Sequence, residues 1–321
     1  MVLNDKGNTT ESVVKEFVLL GFSSLQEVQL PLFCLFLVMY ALSSIGNALV
    51  ILMIHFDSRL HTPMYYFLSN LSWLEIIITT TVTPKMLSLL ISKKKTISFT
   101  GCVIQITWYL LAGATEILLL GAMSVDRYLA ICNPLHYTAI MSNRVCRLMV
   151  LFCWIGSIFC VSLTISFNLI LPYCGPNVID HFFCDTSPLT KLLCADLTLV
   201  HALQFMAACL ALLTSVSVTA VSYLYIIITV MRMPSTQGRK EAFSTCSTHI
   251  TLVSIYYGSC IFIYVRPAGS SSMDFNKVAT VLNTVVTPLL NPIIYSFRKK
   301  VVMDVLKDAL KQMSETLVKT A

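Results

Sequence analysis

Charged residues are scarce in this chain of 321 residues. Asp, Glu, Lys and Arg make up 12% of it and hydrophobic residues 56%, whereas soluble domains carry about 25% charged residues. Lys and Arg outnumber Asp and Glu, which gives a formal charge of +6, but they do not gather into a basic domain. The composition therefore argues against a soluble domain and against nucleic acid as a partner. It favours a chain that faces lipid or other apolar helices.

The usual motifs of enzymes are missing as well. None of the six histidines belongs to an HExxH zinc motif, and the sequence contains neither a Gly-rich phosphate loop nor a nucleophile elbow. No internal repeat of the transporter kind is visible. We therefore predict no catalytic residue, no cofactor and no ligand cluster for a transition metal.

Long apolar runs are present instead. A helix needs roughly 20 apolar residues to cross about 30 Å of hydrocarbon. Seven such runs lie near 28–54, 62–90, 102–124, 147–171, 198–231, 248–265 and 277–297. The pattern predicts an all-α membrane protein, a seven-transmembrane helix bundle over residues 28–297, between an N-terminal segment (1–27) and a tail (298–321). The tail alternates apolar and charged residues at helical spacing, which indicates an amphipathic helix on the membrane surface.

Two features indicate the orientation of the chain. The loops on the side of the C-terminus carry a modest majority of the Lys and Arg residues, as cytoplasmic loops do. Asn8-Thr9-Thr10 is a glycosylation sequon, which has meaning only on the extracytoplasmic side. We therefore expect an extracellular N-terminus glycosylated at Asn8, a cytoplasmic C-terminus, and a place in the plasma membrane.

Four of the twelve cysteines fall on the side predicted to be extracellular, where disulfides persist. They are Cys102, Cys174, Cys184 and Cys194. Four cysteines allow three pairings, and the residues alone do not choose among them. Their expected role is to tether the long segment between the fourth and fifth spans.

Two carboxyl groups fall inside predicted spans. Glu116 lies fourteen residues after Cys102, and Glu75 fourteen residues after His61, so each lies about 21 Å deep at 1.5 Å per residue. We expect them to face each other, or to share a polar cavity with Asn47 and Asn291. Acids in a membrane mark functional sites, and a cation site (sodium), a protonated hydrogen-bonded pair and a proton path remain open. We favour a structural or switching network.

The motifs, taken in order, resemble those of one family. They are Gly46-Asn47, Leu60–Leu68, Asp126-Arg127-Tyr128, Pro134–Tyr137, His181–Asp185, Ser222-Tyr223, Ala242–His249 and Asn291-Pro292-Ile293-Ile294-Tyr295. From about residue 17 to 300 the chain resembles the vertebrate olfactory receptors of the tetrapod-type class, which are rhodopsin-like G-protein-coupled receptors. It departs from their pattern at Glu75, where Asp is usual, and at Val125, where Tyr is usual.

The resemblance implies a receptor for small volatile odorants, without catalytic activity. It implies the disulfides Cys102–Cys184 and Cys174–Cys194 and coupling to a heterotrimeric G protein of the stimulatory olfactory type, which raises cyclic AMP. The residues implied in coupling and switching are Asp126, Arg127, Tyr128, Tyr223, His249, Asn291, Pro292 and Tyr295. For His249, an ordinary buried histidine without a switch role is the alternative.

The resemblance also implies an odorant cavity in the helix bundle. Its expected lining is Gln105, Tyr109, Leu110, Gly113, Ala114, Ala207, Ala208, Ala211, Tyr257, Cys260, Ile261, Tyr264, Val281 and Thr284. These residues are mostly apolar and include no Lys or Arg, which suits a small uncharged molecule. Tyr109 stands where amine receptors carry an aspartate, which argues against a cationic amine. At each position ordinary helix packing is the alternative.

Two other functions stay open at this point. The first is a rhodopsin-like receptor for a metabolite that is not an odorant. The second is an ion-coupled transporter or channel built around Glu75 and Glu116, which inverted repeats or a continuous charged path would have favoured.

Overall fold

A computed structural model of the chain describes residues 14–22, 27–173, 176–195, 197–264, 273–294 and 299–320. Its helices are α1 (Gln29–Phe56), α2 (Pro63–Ile91), α3 (Phe99–Cys132), α4 (Tyr137–Ile140), α5 (Asn143–Ile170), α6 (Thr186–Thr190), α7 (Thr198–Arg232), α8 (Thr236–Tyr264), α9 (Met273–Val281), α10 (Thr287–Pro292) and α11 (Lys300–Thr320). A π-helical turn, Leu282–Val286, joins α9 to α10. Three short strands are β1 (Glu16–Leu19), β2 (Thr96–Ser98) and β3 (Val178–Ile179).

The long helices correspond to the predicted spans. In the described part of the chain, α1, α2, α3, α5 and α7 are each long and apolar enough to cross a membrane. The sixth span corresponds to α8, and the seventh to the run of α9, the π-helical turn and α10. The prediction of an all-α seven-helix bundle is therefore confirmed.

Local sequence accounts for where several of these helices begin. Pro63 is in the first turn of α2, where its missing N–H is not needed. The side chain of Ser98 accepts a hydrogen bond from the amide of Gly101 at the start of α3, and Ser142 does the same for Val145 at the start of α5. Such caps satisfy amides that have no partner within the helix.

Helix α3 lies at the centre of the bundle and packs against α2, α5, α7 and α8, whereas α1 packs against α2 and α10. Two close approaches depend on glycine. A Cβ atom at Gly121 would lie 2.8 Å from Ser215 Oγ on α7, and one at Gly46 would lie 3.3 Å from the ring of Pro292. The outward faces remain apolar, as on α5, where Phe152 and Phe159 are exposed and would contact lipid.

The three strands form a sheet that the sequence analysis did not anticipate. Strand β1 lies in the middle, antiparallel to β2 and parallel to β3. Because β2 leads directly into α3, the sheet covers the end of the bundle that carries Cys102. We call this end the disulfide end and the opposite end, where α3 carries Asp126 and Arg127, the Arg127 end.

One of the two implied disulfides is present among the described residues. Cys102 at the start of α3 is bonded to Cys184, and their Cα atoms are 5.5 Å apart. Cys194 is also disulfide-bonded, but Cys174 lies outside the described residues, so the Cys174–Cys194 pairing stays a prediction. The glycosylation site predicted at Asn8 lies outside the described residues as well.

The tail helix α11 packs against the Arg127 end. Val302 and Val305 are buried there, whereas Val301 and Leu310 are exposed. Arg59, in the turn between α1 and α2, donates to Asp57 at 2.8 Å and to Asp308 of α11 at 2.9 Å. The charged side chains thus connect the tail to the turn between α1 and α2, while the apolar residues of α11 are partly buried against the bundle and partly exposed.

The contact between α3 and α7 gives a first prediction. Gly121→Ala should lower the free energy of unfolding by about 1–3 kcal/mol, because the new methyl group overlaps Ser215. Gly258→Ala is the matched control: nothing lies within 4 Å of a Cβ atom there, and replacing glycine within a helix favours the helix by up to about 1 kcal/mol. Thermal unfolding in detergent measures both variants. Equal unfolding temperatures for the two would contradict this packing.

Candidate functional site

Glu75 and Glu116 meet in the interior of the bundle. They are 0% and 1% exposed, and their carboxyl groups lie within hydrogen-bonding reach of each other. The depth derived from helical rise therefore places them correctly side by side. The side-chain amide of Asn291 donates to Glu75 Oε1. Tyr256 is within reach of Glu116 and donates to the carbonyl of Gly113 at 3.2 Å.

One proton shared between the two carboxyl groups explains why they can lie next to each other. One oxygen of each carboxyl, Glu75 Oε2 and Glu116 Oε2, has no donor in the described part of the chain. Two ionised carboxylates repel each other in a low dielectric, and a hydrogen bond between two carboxyl groups requires a proton on one of them. The geometry thus fits a protonated, hydrogen-bonded pair. Among the described residues, no group of three or more His, Cys, Asp or Glu side chains forms a metal site.

Asn47 was expected to share a cavity with this pair but has other partners. Its side-chain nitrogen donates to the carbonyl oxygens of Ser43 and Pro288, each at 3.0 Å. It therefore joins α1 to α10 beside Pro292. Pro292 itself is buried against Gly46.

At the Arg127 end, the carboxylate of Asp126 has two partners. Oδ2 accepts from the guanidinium of Arg127, and Oδ1 accepts from the hydroxyl of Tyr137 at 2.7 Å. Asp126 is fully buried, whereas Arg127 is 13% exposed. The sequence analysis assigned no role to Tyr137, although it belongs to the Pro134–Tyr137 motif. It secures the second oxygen of Asp126 and so holds α4 against α3.

Tyr223 of α7 and His249 of α8 connect their helices close to this ion pair. The hydroxyl of Tyr223 lies 2.7 Å from Nδ1 of His249, and their rings stack with centroids 5.7 Å apart. Tyr128 contacts Tyr225 of α7, with ring centroids 5.8 Å apart. Tyr295, expected to take part in switching, lies outside the described residues.

A cavity of about 240 Å³ opens between α7 and α8 on this side of the bundle. Its lining is almost entirely apolar and includes Tyr223, Ile226, Phe243, Cys246 and Ile250. The cavity lies away from the expected ligand residues. Because Phe243 and Ile250 are exposed, it is a groove that opens to the outer surface beside the Tyr223–His249 contact.

Gln105 and Tyr257, two polar residues expected to line a ligand cavity, are hydrogen-bonded within the protein. The amide of Gln105 donates to the carbonyl of Thr81 and accepts from the backbone amide of Cys184, each at 2.9 Å. The hydroxyl of Tyr257 is hydrogen-bonded with those of Ser215 and Thr219 on α7. These bonds fix helices and loops in place, and they leave a more apolar lining than the residue types suggest.

The other expected lining residues differ in burial. Tyr109, Ala211, Cys260 and Thr284 are buried, and Ile261 is 45% exposed. The rest are partly buried, namely Leu110, Gly113, Ala114, Ala207, Ala208 and Val281. The ring of Tyr109 contacts Phe183 edge-on, with centroids 4.9 Å apart. Helix α8 reaches Tyr264, but the side chain of Tyr264 lies outside the described residues.

Gln204 on α7 was missed by the sequence analysis. Its Nε2 atom is shielded from solvent and has no acceptor in the part of the chain that the structure describes. It precedes Ala207, Ala208 and Ala211 at intervals of three, four and seven residues, so it shares their helix face. The sequence alone was therefore enough to place Gln204 on the same helix face as these three alanines.

The height of Gln204 in the bundle follows from the register of α3 and α7. Ser215 packs against Gly121, and the hydroxyls of Ser124 and Thr219 are 3.0 Å apart, so the two helices run in the same direction. At 1.5 Å per residue, Gln204 lies about 17 Å from Ser215 towards the disulfide end. Tyr109 lies about 18 Å from Gly121 in the same direction. Gln204 and Tyr109 therefore lie at about the same depth in the bundle.

The carboxyl pair gives a second prediction. Glu116→Gln should keep or raise the free energy of unfolding, by about 1 kcal/mol, because an amide donates to Glu75 without sharing a proton. Glu116→Leu at the same position should lower it by about 1–3 kcal/mol, because Glu75 then loses a buried partner. Thermal unfolding near pH 7 compares the two. If Glu116→Gln were as destabilising as Glu116→Leu, this would contradict a proton shared between the two carboxyl groups.

The comparisons with known proteins agree with these structural features. A family model described as "Olfactory receptor" matches residues 33–313. Olfactory receptor 6E1 of Mus musculus is 48% identical over 305 residues, which cover 95% of this chain and 97% of the relative. Olfactory receptor 6J1 of Homo sapiens is also 48% identical, over 94% of this chain and 87% of the relative.

The members of this family are receptors. Its members sense odorants as G-protein-coupled receptors, span the plasma membrane several times, and are not enzymes. The match covers nearly all of the helix bundle and the first part of the tail helix. The chain therefore belongs to the olfactory receptor family.

Proposed function

We propose that this receptor binds small, mostly apolar, uncharged molecules between α3, α7, α8 and the α9–α10 run, and that it activates a G protein of the stimulatory olfactory type and so raises cyclic AMP. The observation that carries the ligand class is the internal engagement of the polar lining groups. Because Gln105 and Tyr257 are bonded to the protein, the remaining surface offers mainly apolar contact. Such a lining suits an uncharged molecule.

The topology we propose puts the disulfide end outside the cell and the Arg127 end in the cytoplasm. Residues 1–27 form the extracellular N-terminus with its glycosylation site at Asn8, and residues 298–321 form the cytoplasmic tail. The Cys102–Cys184 disulfide supports this orientation, because disulfides persist in oxidising compartments.

Coupling, in this proposal, starts from the Asp126–Arg127 pair. Asp126 holds Arg127 in the resting receptor, and Arg127 turns towards Tyr223 and Tyr295 and towards the G protein when α8 moves. Pro292 removes one backbone hydrogen bond from the last span, which gives that span a place to bend beside Asn291. The bond between Tyr223 and His249 keeps α7 and α8 together until then.

The test is a cyclic-AMP reporter in cells that express the receptor. A panel of small volatile uncharged compounds should include at least one that raises cyclic AMP in a dose-dependent way. Arg127→Ala should abolish the rise at equal surface expression, because it removes the charge that contacts the G protein. Arg144→Ala is the matched control, since Arg144 is exposed at the same end and should leave the response unchanged.

Two other results would each contradict a part of the proposed function. Silence across a broad panel, with surface expression confirmed, would contradict an odorant as the ligand and favour a metabolite. Ion flux that depends on Glu75 or Glu116, without a cyclic-AMP signal, would contradict G-protein coupling as the function.

Gln204 refines the ligand class. A buried N–H without an acceptor costs about 1–3 kcal/mol, and this cost is recovered when a ligand supplies the acceptor. We therefore expect the preferred odorants to carry one acceptor oxygen, as in a ketone, ester, ether or alcohol. The apolar remainder of the molecule would contact the alanine face of α7.

A substitution at Gln204 tests this refinement. Gln204→Leu should raise the half-maximal concentration of an agonist that carries an acceptor about tenfold, which corresponds to about 1.4 kcal/mol. The response to its hydrocarbon analogue should not weaken. His201→Leu, which changes an exposed polar side chain one turn earlier, should affect neither compound. An equal loss for both compounds in Gln204→Leu would contradict a hydrogen bond to the ligand.

A further inference from the structure

Lys277 is a buried charged residue that belongs neither to the carboxyl pair nor to the Asp126–Arg127 pair. It lies in α9 at the disulfide end and is only 6% exposed. Its ammonium group donates to Asp180 Oδ1 at 2.7 Å and to the carbonyl oxygen of Gly21 at 3.0 Å. A buried charge is tolerated only when it is paired and hydrogen-bonded. Both partners of Lys277 belong to segments outside the helix bundle.

Gly21 belongs to a segment that we call the strap, residues 15–22. Its backbone runs through β1 and is bonded to the adjoining loops: Leu19 donates to the carbonyl of Lys95 at 2.8 Å, and Leu20 to that of Ile179 at 3.0 Å. Gly21 has a φ of +60°, a conformation that favours glycine, and its amide donates to the carbonyl of His181 at 3.1 Å. The strap is thus fastened across the disulfide end.

The strap closes this end by burying apolar side chains. Phe17 and Leu19 are 1% and 0% exposed. Phe22 stacks on Phe182, with ring centroids 5.2 Å apart, and Phe182 contacts Phe183 at 5.4 Å. Phe183 in turn contacts Tyr109 of α3 at 4.9 Å. A continuous row of rings therefore connects the strap to the expected ligand face.

The charges around Lys277 allow its contact with Asp180 to open. Asp180 is 33% exposed, so water reaches both groups once they separate. His181 does not compete for Asp180: burial lowers the pKa of its imidazole to about 3, and the neighbouring Lys277 adds to this effect, so the ring is neutral near pH 7. Glu16 of the strap forms an ion pair with Lys94, but this pair is 3.9 Å long and exposed. Among the described residues, Lys277 therefore supplies the buried charged contact of the strap, through its bond to the Gly21 carbonyl.

We propose that Lys277, through Asp180 and Gly21, latches the strap closed over the disulfide end, and that odorants enter the bundle when this latch opens. The ligand route rests on the proposed function, whereas the latch itself does not. A buried ion pair adds little net stability, but one buried charge left alone is costly. The contacts of Lys277 with Gly21 and Asp180 therefore stay closed at rest, and water must hydrate the ammonium group and the Asp180 carboxylate when the strap lifts.

The first experiment needs no ligand. Hydrogen exchange of the backbone amides of Leu19, Leu20 and Gly21 is measured in the purified full-length receptor in lipid nanodiscs. Lys277→Met should speed exchange at least tenfold, because it keeps the apolar stem and removes the charge. Lys277→Arg, which keeps a charged donor, should stay within about threefold of the original rate. Lys94→Met is the matched control at the exposed ion pair and should leave the rates unchanged.

The second experiment measures the rates at which the G-protein response begins after agonist addition and ends after wash-out. Lys277→Met should speed both severalfold and leave the maximal response unchanged, a result that loss of stability alone does not produce. If Lys277→Met fails to reach the surface, Asp180→Asn takes its place, because it removes the negative charge that holds the ammonium group of Lys277 beside Gly21.

Each outcome decides a separate part of the proposal. Unchanged hydrogen exchange in Lys277→Met would overturn the latch. Faster exchange with unchanged response rates would overturn the ligand route. If the unsubstituted receptor answers no compound, the proposed function fails, and faster exchange would still support the latch.

Discussion

The whole arrangement depends on the polar groups that α3 carries into an apolar bundle. Glu116 and Asp126 are almost completely buried, and insertion scales put the cost of an intramembrane charge at roughly 2.5–3.5 kcal/mol. Each therefore needs a partner on another element: Glu116 meets Glu75 of α2, and Asp126 meets Tyr137 of α4. These contacts, together with the Gly121–Ser215 approach, fix the positions of the neighbouring elements around α3.

The two ends of the bundle are held in different ways, and this difference suits a receptor. At the disulfide end, a covalent bond, a sheet and the buried Lys277 close the structure. At the Arg127 end, α7 and α8 are joined beside a cavity of about 240 Å³ by the Tyr223–His249 bond. In the described residues α7 and α8 are held at this end by non-covalent contacts, so in the proposed receptor they separate more readily than the elements of the disulfide end.

The sequence predicts the helices well and the contacts between distant segments poorly. Apolar runs identify spans because hydrocarbon thickness sets their length, yet α3 and α8 extend beyond those runs, since a polar continuation remains helical in water. A fixed helical rise was enough to place Glu75 beside Glu116. Strands of two to four residues have too few positions for a periodic pattern. The contacts of Lys277 with Asp180 and of Asn47 with Pro288 join residues 97 and 241 positions apart, which no local pattern encodes.

If Arg127 is released as proposed, α8 should move away from α3 at the Arg127 end when an agonist binds. The most direct measurement is the distance between probes at Arg144 on α5 and Lys240 on α8, two exposed positions at that end, with labels that do not react with cysteine. With a saturating agonist, we expect a population of receptors in which this distance is longer than in the resting receptor. In Tyr223→Phe, we expect part of the receptors to show the longer distance without agonist. A single, unchanged distance in a receptor that nevertheless activates its G protein would contradict the account.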